Sequence, residues 1–166
     1  MNNTLKMKEV ETAFELDKFW TLFKDYINEL AENATRGEEL DKNYFFSDEY
    51  KNMIERLKAR KKNPLKLLFF KLEQEVIGFM MYCTYFDEAG KSLLAEFYLC
   101  PDKRNSGYGM KAYRMAEDQI IEEGASYIEL TPTNSNNQRF WERVGFARTD
   151  DLDEDGKNFY RKYFGN

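Results

Sequence analysis

Histidine is absent from this 166-residue chain. That removes Ser-His-Asp and Cys-His arrangements, His-ligated zinc and any imidazole base. Only two cysteines occur, Cys83 and Cys100, with no Cys-x-x-Cys. A four-cysteine metal site is therefore impossible, and a reduced compartment is expected. The three prolines open no Pro/Gly/Ser-rich linker and no repeat is visible, so a single domain over residues 1–166 is expected. The longest apolar run, Val76 to Phe86, is broken by Thr84 and falls far short of the ~20 residues that span a bilayer. The amino-terminal MNNTLKMKEVETAF has no apolar signal core, which points to a cytoplasmic protein without a membrane partner. Basic charge is also short: 25 Lys and Arg face 30 Asp and Glu, a net of −5. This argues against nucleic acid as the partner, since phosphates attract a basic face. It is compatible with a cationic small molecule or a basic peptide end.

Aromatic residues are plentiful, at 16% of the chain, and can fill a core without a disulfide or metal staple. Met7–Val10 reads as a short strand. Thr12-x-x-Glu15 is a capping box, and apolar residues from Phe19 to Leu30 recur at helical spacing, so a helix is predicted over 13–33. Residues 34–46 read as loop. Ser47 or Asp48 caps a second helix that stops before Asn63-Pro64. The period then changes to strands at 65–72, 76–86 and 93–100, joined by hairpin turns. A helix over 106–123 ends at Gly124, and 127–130 is a short buried strand. Ser135-x-x-Gln138 opens a helix that closes at Gly145, and strands 146–149 and 159–164 are joined by the acidic turn 150–156. The order β-α-α-β-β-β-α-β-α-β-β contains a βαβ crossover among antiparallel strands. It predicts an α/β (α+β) protein with a mixed, mostly antiparallel central sheet and helices on both faces.

The stretch Phe97-Tyr-Leu-Cys-Pro-Asp-Lys-Arg-Asn-Ser-Gly-Tyr-Gly109 carries the chemistry. Two glycines one residue apart open a helix directly after a strand. Glycine lets a bulky anion approach the backbone, and a helix start supplies unpaired N–H groups and partial positive charge. Lys103, Arg104, Lys111 and Arg114 add formal charge. A phosphate or pyrophosphate is the simplest ligand, and a bare helix-start turn is the alternative. No Gly-Lys-Ser/Thr follows, so this is not a P-loop; residue 112 is alanine, so it is not a dinucleotide fingerprint.

Arg104-x-x-Gly107-x-Gly109, after a strand and Pro101, resembles the coenzyme A motif of the GNAT superfamily of N-acyltransferases. Downstream, Asn134-Ser-Asn-Asn137-Gln-Arg-Phe140-Trp141-Glu-Arg-Val-Gly145-Phe146 resembles the same family's Asn-x-x-Ala-x-x-Phe-Tyr-x-x-x-Gly-Phe helix. The likeness covers roughly residues 65–165 and implies the GNAT-like acyl-CoA N-acyltransferase fold. It further implies that strands 93–100 and 127–131 splay apart around the pantetheine arm, with Leu99, Cys100 and Pro101 at the strand end. The backbone of Arg104, Asn105, Ser106, Gly107, Tyr108 and Gly109 would hold the pyrophosphate. Asn134 would reach the pantetheine arm, and Phe140 and Trp141 would wall the thiol end.

The resemblance implies transfer of an acetyl group from acetyl-CoA to a small-molecule or peptide amine by direct attack in a ternary complex, with no metal required, in a monomer or homodimer. An alkylammonium of pKa ~10 must lose a proton before attack. Glu96 stands five residues before Pro101, where the resemblance implies an acidic residue facing the acceptor cleft, and is the candidate base, directly or through water; the alternative is a polar residue on an alternating strand. Glu96→Gln is then expected to lower turnover most at low pH, where the amine is most protonated. The N–H of Leu99, at a bulge, is the candidate oxyanion donor. The family often uses a tyrosine to protonate the departing thiolate, and Trp141 stands there instead; an indole N–H has no useful acidity. Cys100 and Cys83 read as packing. Glu29, Glu32, Glu38, Glu39 and Asp41, with Asp150, Asp151, Asp153, Glu154 and Asp155, make the acceptor-side loops acidic, either as solvated surface or as attraction for a cationic amine. Two rivals remain: the same fold as an acyl-CoA-binding sensor without turnover, and a nucleotide-phosphate binder unrelated to coenzyme A.

Overall fold

A computed structural model of the chain describes residues 4–34 and 40–165. Strand β1 (Leu5–Glu9) leads into α1 (Ala13–Glu32), whose start is closed by the predicted capping box. The Thr12 hydroxyl accepts from the Glu15 N–H at 3.1 Å, and the Glu15 carboxylate accepts from the Thr12 N–H at 3.0 Å. Residues 34–46 are not wholly loop: α2 (Lys42–Phe45) is a single turn capped by Asp41, too short to leave a periodic signal. Residues 35–39 lie outside the described segment. Helix α3 (Asp48–Lys58) starts at the Ser47 cap.

Strands β2 (Leu65–Leu72), β3 (Glu75–Tyr85) and β4 (Lys91–Leu99) form an antiparallel meander. A short 3₁₀ turn (Pro101–Lys103) leads to α4 (Tyr108–Glu122) and β5 (Tyr127–Leu130). Then come α5 (Ser135–Arg143), β6 (Ala147–Leu152) and β7 (Asn158–Tyr163). The last hairpin is longer than expected: β6 continues into the acidic segment as far as Leu152. The seven strands lie in the order β1-β2-β3-β4-β5-β7-β6. All pairs are antiparallel except β4 with β5, the pair that the βαβ crossover requires.

The sheet is covered on both faces, which is why Leu65–Phe70 is almost continuously apolar rather than alternating. Leu67, Phe69, Phe79 and Met81 pack under α1 and α3 with Phe19, Phe23 and Tyr50, and Phe23 stacks on Tyr50 at 5.5 Å between ring centroids. Leu68, Phe70, Met80, Tyr82 and Leu94 face the other way, against Tyr113, Ala116 and Ile120 of α4 and Trp141 of α5.

Two irregularities position the centre of β4. Met81 pairs with Glu96 but Tyr82 pairs with Leu94, so Ala95 is an extra residue. The bulge reverses the alternation: Leu94 faces α4, whereas Tyr98 packs on the α1 side and Leu99 on the α4 side. Glu96 is thereby turned towards α1. The bulge is thus at Ala95, four positions before the expected one at Leu99. Gly78, opposite Leu99, allows the second irregularity, a very close strand approach: a Cβ there would lie 2.3 Å from the Tyr98 carbonyl oxygen. Gly78→Ala should therefore lower the stability by about 2–3 kcal/mol, measured by urea denaturation, because backbone rather than a flexible side chain must move.

Candidate active site

Beyond Leu93 the strands β4 and β5 part. Their parallel pairing covers only Lys91, Ser92 and Leu93 against Tyr127, Ile128 and Glu129. The Cys100 N–H donates to the Ile77 carbonyl at 2.8 Å, so the alternation of an antiparallel ladder turns the N–H of Leu99 to the opposite edge, into the opening. The Leu99 carbonyl on that edge accepts from Arg104 Nε at 2.8 Å. Cys100 does not contribute a main-chain donor, because its N–H is taken by Ile77 and its carbonyl accepts from Lys103. Burial pushes the Cys100 thiol up, away from the thiolate form, which agrees with packing rather than nucleophilic attack.

Just past this strand end lies a run of amides without acceptors. The Arg104 N–H donates to the Pro101 carbonyl, and the first intrahelical bond of α4 runs from the Lys111 N–H to the Gly107 carbonyl. Among the described residues, the N–H groups of Asn105, Ser106, Gly107, Tyr108, Gly109 and Met110 find no acceptor. The cradle therefore begins at Asn105, one residue later than expected. Asn105 and Gly107 are left-handed, at φ 62° and 86°, a curl that turns successive amides inward. Helices α1, α2, α3 and α5 are capped by the side chains of Thr12, Asp41, Ser47 and Asn134, whereas Gly107 at the start of α4 provides none. A Cβ on Gly107 would meet nothing within 4 Å, so the space before the amides is open. Free donors, dipole and open space together fit a diphosphate.

The side-chain charges divide differently from the expectation. The Arg104 guanidinium is bidentate to Glu29 of α1 at 2.9 and 2.9 Å and lies over the Tyr98 ring. It ties the loop to α1 rather than offering its charge to a ligand. Lys103 lies 3.6 Å from Glu75. Lys111 and Arg114, exposed on the first turns of α4, have no carboxylate partner among the described residues.

Glu96 is half-buried, and the Tyr26 hydroxyl of α1 donates to its Oε2. Burial pushes the Glu96 carboxyl up to about 7, opposed by this hydrogen bond, and burial beside Glu96 holds the Tyr26 hydroxyl well above its ordinary range. Phe140 is partly exposed and lies 3.5 Å from the Cβ position of Gly109. Trp141 does not share that wall: it is buried among Phe97, Tyr113 and Phe146 and backs Phe140 from the core. Asn134 is the N-cap of α5, its Oδ1 accepting from the Asn137 N–H at 3.0 Å, and it lines the adjoining cavity. Neither Gly78 nor the bulge at Ala95 is signalled by the sequence, and Tyr26 is signalled only as one of the inward-facing residues of its helix stripe.

The GNAT acetyltransferase family profile matches residues 24–146. The chain belongs to this family. A search of curated proteins finds no match. Among solved structures, the PaiA N-acetyltransferase of Thermoplasma acidophilum, in complex with coenzyme A, superposes with a TM-score of 0.74 at 17% identity, over 97% of this chain and 99% of that one. An acetyltransferase of Thermus thermophilus gives 0.70 at 18% identity, over 99% and 100%. The N-acetylglutamate synthase of Neisseria gonorrhoeae, complexed with coenzyme A and N-acetyl-glutamate, gives 0.66 at 15% identity, over 98% of this chain and 36% of that one. These likenesses establish the fold: mixed α/β, with a mostly antiparallel seven-stranded sheet. Among the described residues no helix is long and apolar enough to cross a membrane.

The raised Glu96 carboxyl has a thermodynamic signature. A folded-state pKa near 7 against an unfolded value near 4.5 means that the folded protein holds the extra proton between these limits, so Glu96 erodes stability as pH rises from 4.5 to 7. Glu96→Gln removes that cost. The melting temperature of the variant relative to wild type should therefore increase between pH 5 and pH 8, measured by thermal unfolding in matched buffers.

Proposed function

We propose that the protein is an acetyl-CoA-dependent N-acetyltransferase, acting on a small-molecule or peptide amine by direct attack in a ternary complex. The observation that carries this reading is the uncapped start of α4, with its run of free amides, beside an opening between β4 and β5 that Glu96 and the Leu99 N–H adjoin. Asn105 to Gly109 would hold the diphosphate, and Lys111 and Arg114 would add charge at its flank. When bound, acetyl-CoA supplies a thioester carbon for the amine nitrogen and a thiol as leaving group.

Glu96 is matched to removal of the amine proton. A general base is most effective when it ionises near the working pH, and burial has brought this carboxyl to about 7. Tyr26 fixes its orientation. The Leu99 N–H faces the opening, as an oxyanion donor must. Trp141 is buried in the core and cannot deliver a proton to the thiolate. Protonated Glu96, an acid of pKa near 7, is strong enough to return one to a thiolate of ordinary pKa ~8.5. The tuned carboxyl favours turnover over the sensor reading, since a module that merely binds acyl-CoA needs no base.

This tuning also revises the expected pH profile. Below pH 7 Glu96 is itself protonated and resembles glutamine, so Glu96→Gln should differ little from wild type at low pH. The difference should widen above pH 7, reaching about 100-fold in kcat/KM, until the amine loses its own proton near pH 10. Thiol release from acetyl-CoA across an amine panel, at pH 5.5 to 9.5, checks this; a loss that is constant across pH removes Glu96 as the base. Separately, Gly107→Val should weaken coenzyme A binding by about tenfold or more in isothermal titration while the domain stays folded, because the new side chain fills the open cradle and must adopt a left-handed backbone. Unchanged affinity would place the diphosphate elsewhere.

A further inference from the structure

Tyr26 and Glu29 stand three positions apart on α1, so neighbouring positions on one helix face reach two parts of the site. The Tyr26 hydroxyl donates to Glu96 Oε2 on β4. The Glu29 carboxylate takes both arms of the Arg104 fork, at 2.9 and 2.9 Å, beside the entrance to the amide cradle. By charge alone Glu29 counts with the acidic residues of the acceptor-side loops, yet it is committed inside the protein. Others are committed too: Asp151 lies 2.6 Å from Arg161, and the Asp153 carboxylate accepts from the N–H groups of Asp155 and Lys157. Glu38 and Glu39 lie outside the described residues.

The two contacts of α1 belong to one packed unit. The Arg104 guanidinium lies 5.5 Å from the centre of the Tyr98 ring, and the Tyr26 ring packs on the same tyrosine at 5.5 Å between centroids. Arg104 Nε also donates to the Leu99 carbonyl at 2.8 Å. Arg104 therefore touches α1, an aromatic ring of β4 and the main chain of β4 at once. A planar guanidinium held by three partners loses the freedom that makes most surface ion pairs weak.

Helix α1 has few other anchors at this end. Its first turns are fixed by the capping box and by Phe19, Leu22 and Phe23 in the core. Among the described residues of α1, none beyond Ile27 is buried, and its last turn has no basic residue. Arg104, arriving from the loop, supplies positive charge there. Around Glu96, the titratable neighbours are Tyr26 of α1 and Tyr50 of α3, and β3 places Met81 opposite it. Among the described residues, Tyr26 alone donates a hydrogen bond to its carboxylate.

We infer that Glu29 is a positioning residue for the base: its ion pair with Arg104 holds α1 to the cradle loop and thereby keeps the Tyr26 hydroxyl on Glu96. The inference rests on the acyltransferase reading above, which makes Glu96 the base. The Glu96 carboxyl is followed by its carbon-13 shift in glutamate-labelled protein titrated from pH 4.5 to 9, the signal being assigned by its loss in Glu96→Gln. Tyr26→Phe removes a donor to the ionised form and should raise the midpoint by about one pH unit. Glu29→Ala should move it in the same direction, because the released helix end withdraws the hydroxyl. A direct effect through space would have the opposite sign: removing an anion and leaving the Arg104 cation unpaired favours the carboxylate and lowers the midpoint. The double variant should titrate where Tyr26→Phe does, since Glu29 acts through Tyr26. Glu29→Gln keeps the shape of the side chain, guards against a folding defect in the alanine variant, and should also shift the midpoint upwards. A midpoint that stays or falls in either folded Glu29 variant, or shifts that add in the double variant, overturns the inference. With acetyl-CoA and an amine that releases thiol, the midpoint of kcat/KM should follow the carbon-13 midpoint in every variant. If no amine releases thiol, or the rate profile ignores the shift, the catalytic reading alone fails, and the titration still decides whether Glu29 positions Glu96.

Discussion

Three residue pairs join β4 to β5, and the rest of the site depends on their ending there. A continuous parallel ladder would consume the edge of β4 from Ala95 to Leu99. Because pairing stops at Leu93, the main chain of Leu99 is left facing a gap instead of a partner strand, and α4 starts at the end of that gap. An unpaired edge inside a sheet is costly unless something satisfies it. The structure satisfies one group internally, by bringing Arg104 to the Leu99 carbonyl, and leaves the neighbouring N–H available.

The same economy places Glu96. A carboxylate on a strand covered on both faces would normally be excluded from the interior. The extra residue at Ala95 turns it to the α1 side, where the Tyr26 hydroxyl meets it. One donor is sufficient to keep the carboxyl in place and insufficient to hold it ionised at low pH, and a group in that intermediate condition can exchange protons near neutrality.

The parts of the fold governed by local spacing were readable in the sequence. The Thr12–Glu15 box, the Ser47 cap and the glycine after α4 lie where the pattern put them, and the βαβ crossover among antiparallel strands announced a mixed sheet with helices on both faces. What escaped was non-local. Glu29 and Arg104 are 75 positions apart, and nothing near either residue announces that they pair. The bulge at Ala95 and the close approach at Gly78 depend on the register of the neighbouring strand. The acidic β6–β7 segment was legible as charge, but only the ladder shows that Asp151 and Asp153 are occupied within the hairpin. The cradle was anticipated from two glycines, yet its extent required knowing which amides already had acceptors.

Since Arg104 is consumed by Glu29, the half of the site proposed for the donor consists chiefly of peptide groups. Peptide groups are the same whatever side chain they carry, so this half tolerates replacement of nearly every residue that leaves the backbone path intact. The acceptor half is made of side chains and has no such insurance. The fold itself survives wide change in sequence, as the TM-score of 0.74 at 17% identity to the Thermoplasma acidophilum protein shows.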